Sequence, residues 1–185
     1  EINKQLHNLP YSLIDQFLDR HKDTYIGDLL LRNWLSVLAS KNRWHEYRSY
    51  FSDNINSTAH KCWLLLARVN TGDKQALNDV STLWNVSRSQ PKSCDSLFDH
   101  WKQKGYLTED LIWQRFVKAT LRNKTSLRRY LTGLMNEKNR KLADLFWQSL
   151  KNPHSIENKA LFKNDHPNKM LYLRKTTSPS LGSVF

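Results

Sequence analysis

The side chains that could carry chemistry in this 185-residue chain include two cysteines, seven histidines and seven tryptophans. Zinc sites need Cys and His ligands at short, regular spacings. Cys62 and Cys94 are far apart in the sequence, which has no Cys-x-x-Cys motif and no pair of histidines at helical spacing near either cysteine. No Ser-His-Asp arrangement, phosphate-binding loop or nucleotide-binding fingerprint occurs. The residues therefore predict no catalytic group, no metal site and no cofactor.

The seven tryptophans could form a surface for stacking on sugar rings. Most of them fall on the apolar faces of helical segments, so we expect them in the core. Trp63 and Trp113 differ because their neighbours direct the apolar face elsewhere. We expect these two rings to be exposed, which makes them the aromatic candidates for ligand contact.

The formal net charge is +12, from 29 Lys+Arg against 17 Asp+Glu. Such a surface attracts polyanions, which include nucleic acid, anionic lipid and acidic cell-wall polymers. A solvated basic surface without a specific partner fits equally well, because the charges are scattered along the chain. Arg128-Arg129 and Arg140-Lys141 are two adjacent basic pairs within it. Nucleic acid ranks last among the partners, because no base-reading motif accompanies the charge.

The apolar residues recur at intervals of three and four, which is typical of amphipathic helices. Segments of about 10–16 residues alternate with connections of about 2–8 residues, as in stacked antiparallel helices. Gly72 and Gly105 are expected to end helices, and Thr108 is expected to begin one. Helix pairs recur at roughly 30–40 residues. We therefore predict an all-α fold built as an irregular array of antiparallel helix pairs (an α-solenoid).

The helical pattern weakens after Pro153, where Leu161, Phe162 and the residues 170–173 could add one short helix or a packed extension. We predict one scaffold domain over residues 1–173 and a C-terminal tail over residues 174–185. No run of about 18 apolar residues occurs, so no membrane span is expected. The first residues show no signal-peptide pattern.

The middle of the chain resembles a known family. Its motifs are Ser87-x-Ser89-x-Pro91-Lys92-x-Cys94-Asp95, Phe98-x-x-Trp101-x-x-x-Gly105 and Leu111-Ile112-Trp113-Gln114-Arg115. They resemble the superhelical (U-type), non-catalytic region of the soluble lytic murein transglycosylases of the bacterial periplasm. The resemblance covers roughly residues 9–150.

The resemblance implies a right-handed superhelical array of antiparallel helix pairs, curved into a wall on which a lysozyme-like catalytic domain is seated. The full enzymes of this family cleave the β-1,4 bond of peptidoglycan and leave a 1,6-anhydro end, using one glutamate as acid and then base. That glutamate is followed by serine. None of the five glutamates here has a serine after it: Glu1, Glu46, Glu109, Glu137 and Glu157. We therefore expect the scaffold without the catalytic domain, and no activity from this chain alone.

The resemblance also implies periplasmic localisation and a disulfide between Cys62 and Cys94, which the residues alone leave open as two buried thiols. The implied partners are glycan strands of peptidoglycan and the catalytic domain of the same protein. Trp63, Trp113, Arg128 and Arg129 are then the candidate glycan contacts. The alternative function is a helical-repeat adaptor that binds a protein partner on its concave face.

Overall fold

The computed structural model describes residues 5–152, and all the regular elements within that range are helices. The α-helices are α1 (Tyr11–Arg20), α2 (Tyr25–Ser40), α3 (Trp44–Tyr50), α4 (Thr58–Asn70), α5 (Ala76–Trp84), α6 (Asp95–Gln103), α7 (Glu109–Leu121), α8 (Thr125–Leu134) and α9 (Glu137–Lys151). A short 3-10 helix, Lys92–Cys94, precedes α6. The predicted all-α class is confirmed for the described part of the chain.

Polar side chains begin three of these helices by accepting a hydrogen bond from a backbone N–H of the first turn. Thr24 accepts from Gly27 at 3.1 Å, Thr108 from Leu111 at 3.3 Å and Asn136 from Asn139 at 2.8 Å. The first-turn N–H groups have no partner inside the helix, so such caps fix where it starts. The predicted cap at Thr108 is confirmed.

Residues in the left-handed backbone region follow several of the helices. Gly72 has φ 92° after α4, and Gly105 has φ 79° after α6. Asn42 (φ 55°) and Asn123 (φ 52°) follow α2 and α7 in the same way. Glycine and asparagine tolerate this conformation better than other residues, which is why they end helices. Both predicted glycine stops are confirmed.

The described chain forms two compact units. The first contains the chain up to Trp84 together with Gln90–Tyr106, and thus α1 to α6. Successive helices from α1 to α5 pack against one another, and α4 also packs against the 3-10 helix and α6. Its core includes Leu35, Leu38 and Tyr47, all fully buried.

The second unit contains Asn85–Ser89 and the chain from Leu107 onward. Its helices α7, α8 and α9 all pack against each other. The side chains of Trp113, Phe116 and Phe146 fill the space between them. The predicted domain boundary at residue 173, the tail over residues 174–185 and the predicted extension at residues 161–173 lie outside the described residues.

Several apolar side chains on α1 and α2 of the first unit remain exposed. Leu13 on α1 and Ile26 on α2 are 50% and 58% exposed, and Leu9 and Leu29 are also exposed. A groove of about 420 Å³ runs along this part of α1 and is bordered by Leu30. Within the described residues, α2 therefore buries only part of its apolar side chains.

Candidate functional site

A disulfide bond joins Cys62 to Cys94. The S–S distance is 2.02 Å and the two Cα atoms are 5.0 Å apart. Cys62 lies in α4, Cys94 ends the 3-10 helix, and both side chains are fully buried. The bond thus fixes the turn around Pro91 against α4 inside the first unit. The predicted pairing of these two cysteines is present.

Trp63 is the neighbour of Cys62 on α4. Its indole ring is half-buried and packs edge-on against the ring of His60, with the ring centroids 5.4 Å apart. It also packs against the core of the first unit. Trp63 therefore presents part of its ring to solvent, and its role as a glycan contact stays a prediction.

Trp113 is not exposed, and the expectation that it would be is wrong. Its side chain is 0% exposed. The ring lies 5.5 Å from that of Phe116 and 6.1 Å from that of Phe146, measured between centroids. The prediction assumed one buried face on α7, but α7 is packed against both α8 and α9. A ring enclosed in this way serves the core and offers no surface to a sugar.

Arg128 on α8 lies over the indole ring of Trp147 on α9. Its guanidinium carbon is 3.6 Å from the ring centroid, which is direct stacking contact. The amine of Lys151, one turn further along α9, is 5.0 Å from the same centroid. Arg128 and Trp147 are half-buried, and Lys151 is exposed. Two cations thus converge on one aromatic ring.

Arg129, the second predicted basic contact, is exposed on α8. The structure gives no stacking or ion-pair contact for it among residues 5–152. The other basic pair is engaged locally: Arg140 donates to the carbonyl of Met135 at 3.1 Å, and Lys141 pairs with Glu137 at 2.7 Å. Among the four residues of the two basic pairs, Arg128 is therefore the one that lies against an aromatic ring in the described structure.

Arg115, the last residue of the Leu-Ile-Trp-Gln-Arg motif, is 3% exposed. Its Nε donates to the carbonyl of Val86 at 3.2 Å, and its Nη2 donates to the carbonyl of Arg88 at 3.1 Å. Burial lowers the pKa of Arg115 to about 10. This side chain holds the segment Asn85–Ser89 against α7 within the second unit. Its role is structural.

Glu109 also has a structural role. Its carboxylate accepts a hydrogen bond from the backbone N–H of Asn136 at 3.0 Å and another from the side-chain amide of Asn139. Both donors belong to the start of α9. A carboxylate at a helix N-terminus stabilises the unpaired N–H groups there. This glutamate therefore ties the beginning of α7 to the beginning of α9.

Comparison with curated proteins finds the soluble lytic murein transglycosylases. The chain is 24% identical to that of Escherichia coli K12 over 157 residues, covering 84% of this chain and 24% of the relative. The corresponding values for Salmonella typhimurium are 23% identity over 157 residues. The chain thus spans about a quarter of the length of these relatives.

Two solved structures share the fold of this chain. The lytic transglycosylase Slt of Pseudomonas aeruginosa, solved as an inactive mutant, superposes with a TM-score of 0.83 at 24% identity, over 95% of this chain and 29% of that one. The 70-kDa soluble lytic transglycosylase in complex with bulgecin A superposes with a TM-score of 0.70 at 23% identity, over 84% of this chain and 25% of that one.

This chain is lytic-transglycosylase-like. The predicted resemblance is thereby confirmed for most of the described residues. A sequence model of the Cucumovirus coat protein family also matches, over residues 65–148. That match covers less than half of this lytic-transglycosylase-like chain and begins inside α4, so it does not follow an element boundary. The relatives and the solved structures named above are lytic transglycosylases and not coat proteins.

Some residues of interest were missed by sequence reasoning. The apolar spacing predicts Trp147 in the core and marks no role for Lys151, because only the pairing of α8 with α9 brings these two residues to Arg128. The sequence does predict that Trp147 and Lys151 lie on one side of the same helix, because residues four apart are neighbours on a helix surface.

None of the helices within residues 5–152 has the length and hydropathy that crossing a membrane requires.

Proposed function

We propose that this chain is a helical scaffold in a peptidoglycan-processing protein of the lytic transglycosylase type, and that it carries none of the catalytic residues itself. The observation that carries the proposal is the structural likeness, which spans 95% of this chain but only 29% of the lytic transglycosylase from Pseudomonas aeruginosa. The chain therefore corresponds to part of such a protein. In the full protein, the scaffold would seat a catalytic domain and help to hold a glycan strand.

The residues that chemistry would require support a non-catalytic role. Glu109 is held by Asn136 and Asn139, and Glu46 pairs with Arg43. Glu137 pairs with Lys141 at 2.7 Å. All three carboxylates are engaged by these partners, and the hydrogen bonds from Arg43 and Lys141 lower the pKa of Glu46 and of Glu137. A lowered pKa does not suit a general acid, which must be protonated before the reaction. Glu1 and Glu157 lie outside the described residues.

Periplasmic localisation is part of the proposal. It is supported by the buried disulfide between Cys62 and Cys94, because such bonds form and persist in oxidising compartments and are rare in the cytosol. The proposed partners are peptidoglycan glycan strands and a catalytic domain of the same protein. Trp63, Arg128 and Arg129 remain the proposed contacts to the strand, whereas Trp113 is withdrawn because it is buried.

A second candidate function has one observation in its favour. Leu9 and Leu13 line the apolar groove along α1, and Ile26 and Leu29 are exposed on α2. Exposed apolar groups in this number often mark a protein-binding surface. A helical adaptor that binds a protein partner would use such a surface. This alternative predicts binding to a polypeptide and none to peptidoglycan.

The test is incubation of the chain with purified peptidoglycan sacculi, with two measurements on the same sample. We expect the protein to sediment with the sacculi, and we expect no soluble muropeptides to appear. Failure to sediment at low salt would contradict the scaffold proposal. Release of 1,6-anhydro products would contradict the assignment of a non-catalytic role.

A further inference from the structure

The cations beside the ring of Trp147 have no anionic partner in the described part of the chain. The side chain of Arg128 has no carboxylate partner among residues 5–152, where the ion pairs all involve other residues. Lys151, the second cation near the ring, likewise has no ion pair within that range. Asp144, one turn before Trp147, pairs with neither of them. The two positive charges therefore lack an anionic partner within the described structure.

The geometry argues against Trp147 as a platform for a neutral sugar. A guanidinium at 3.6 Å from the centroid already covers one face of the ring, and Lys151 lies near the same ring at 5.0 Å. A sugar would have to displace the arginine in order to stack on that face. What this cluster offers to a ligand is instead positive charge with a fixed orientation.

Stacking on the ring prepares Arg128 for recognition of a carboxylate. Contact at 3.6 Å restricts the guanidinium, and a guanidinium that lies flat on an aromatic ring keeps the N–H groups at its edge free to donate. A carboxylate accepts two parallel N–H bonds from such a fork, and these bonds are stronger than neutral hydrogen bonds. Because Arg128 is half-buried against Trp147, less side-chain entropy remains to be lost on binding.

We propose that Arg128, Trp147 and Lys151 form a binding site for the carboxylates of peptidoglycan peptide stems. This inference rests on the proposed scaffold function and sharpens it: the second unit recognises the charged peptides of the polymer through this site. Arg128 supplies the paired donors, Trp147 orients them, and Lys151 adds a second charge at the same ring. The site therefore gives a specific binding role to two of the residues that make the chain basic, Arg128 and Lys151.

The experiment compares binding of the 185-residue chain to intact sacculi and to sacculi whose carboxylates have been converted to neutral amides with carbodiimide and ethanolamine. We expect amidation to weaken binding of the unmodified protein. Arg128→Gln should lose about fivefold in affinity for intact sacculi, as expected when a bidentate charged pair is removed at a partly solvated site. It should show little further loss on amidated sacculi.

Matched variants separate this site from general attraction. Arg122→Gln removes the same charge from an exposed position in the same unit and should bind intact sacculi almost as well as the unmodified chain. Arg128→Lys keeps the charge and removes the planar fork, so it should also lose affinity. Equal losses in Arg128→Gln and Arg122→Gln would overturn the proposal. So would a lowered melting temperature of Arg128→Gln with unchanged binding, which would mark the stacked pair as purely structural.

A second arm separates failure of this site from failure of the scaffold function. The indole N–H signal of Trp147, assigned with Trp147→Phe, is followed by NMR during titration with L-alanyl-D-glutamate and with its diamide. We expect the acid, and not the diamide, to shift the signal. If the signal shifts but sacculi are not bound, the site stands and the scaffold function fails. If sacculi are bound but the signal does not shift, the scaffold function stands and the site is wrong.

Discussion

Two glycines in helices, Gly27 and Gly133, differ in what an added methyl group would meet. A Cβ on Gly27 would lie 2.2 Å from the carbonyl oxygen of His21, far inside van der Waals contact. That carbonyl is fixed, because it accepts hydrogen bonds from the hydroxyl and the backbone N–H of Thr24. A Cβ on Gly133 would have no atom within 4 Å apart from its chain neighbours and the backbone of its own helix. The start of α2 therefore requires glycine, whereas α8 does not.

Gly27→Ala should destabilise the protein by about 1–3 kcal/mol, since the clash outweighs the better helix propensity of alanine. Gly133→Ala is the matched control and should stabilise it by about 0.5 kcal/mol, because alanine restricts the unfolded chain without a clash. Urea unfolding of both variants measures the two free energies. Equal effects of the two substitutions would show that the close approach to His21 is not a constraint.

His60 is a second residue whose environment has a measurable consequence. Its side chain is 8% exposed, and its Nε2 lies 3.0 Å from the carbonyl oxygen of Arg32. Burial lowers the pKa of His60, and the charge of Arg32 acts in the same direction, while Asp28 and the backbone contact oppose it. The neutral imidazole is thus favoured in the folded state.

Because the folded pKa lies below the unfolded value of about 6.5, the unfolded chain binds more protons as the pH falls below that value. The unfolding free energy should therefore decrease from pH 7.5 to pH 5, by at most about 1.4 kcal/mol per pH unit from this residue. His60→Gln should reduce that decrease, because it removes the group whose pKa folding lowers. Chemical unfolding at the two pH values measures the difference. An identical pH dependence in His60→Gln and the unmodified protein would contradict this account.

At the scale of elements, the disulfide is the strongest single constraint in the first unit. It connects α4 to the turn before α6 across 32 residues of sequence. Closing a loop of that length removes chain entropy from the unfolded state, which corresponds to about 3–4 kcal/mol of stabilisation in the loop-closure model. The turn around Pro91 has only a short 3-10 helix of its own, so it depends on this bond for its position.

The double variant Cys62→Ala, Cys94→Ala should therefore be less stable by about 3 kcal/mol. Its melting temperature should not change on addition of dithiothreitol, whereas the unmodified protein should lose a similar amount of stability under the same reducing conditions. Thermal unfolding with and without reductant provides all four values. A reductant effect as large in the double variant as in the unmodified protein would exclude the disulfide as its cause.

The helices could be predicted from the sequence because their signals are local. The apolar spacing, the cap at Thr108 and the glycines at positions 72 and 105 each act within one or two helical turns, and each is observed. The burial of Trp113 could not be predicted, because it depends on α8 and α9 both reaching α7. The contact of Arg128 with Trp147 is equally non-local, since it requires the register in which two helices pair. The disulfide came from the family resemblance and not from spacing.

At the scale of the whole molecule, binding that follows from the net positive charge alone must be distinguished from specific binding. A net charge of +12 attracts any polyanion, including the carboxylate-rich polymer proposed as the partner. Attraction between exposed charges is screened by salt, because the Debye length falls from about 10 Å at 0.1 M to about 3 Å at 1 M. Contacts that also stack, exclude water and fit a shape are screened much less.

The most direct test of the scaffold account is therefore sedimentation of the chain with insoluble peptidoglycan over a salt series, beside polylysine as a purely cationic control. At about 0.5 M salt most long-range attraction is removed, so polylysine should be released while a substantial fraction of the protein stays bound. Release of the protein in parallel with polylysine would contradict the account, because it would reduce the interaction to general attraction between opposite charges.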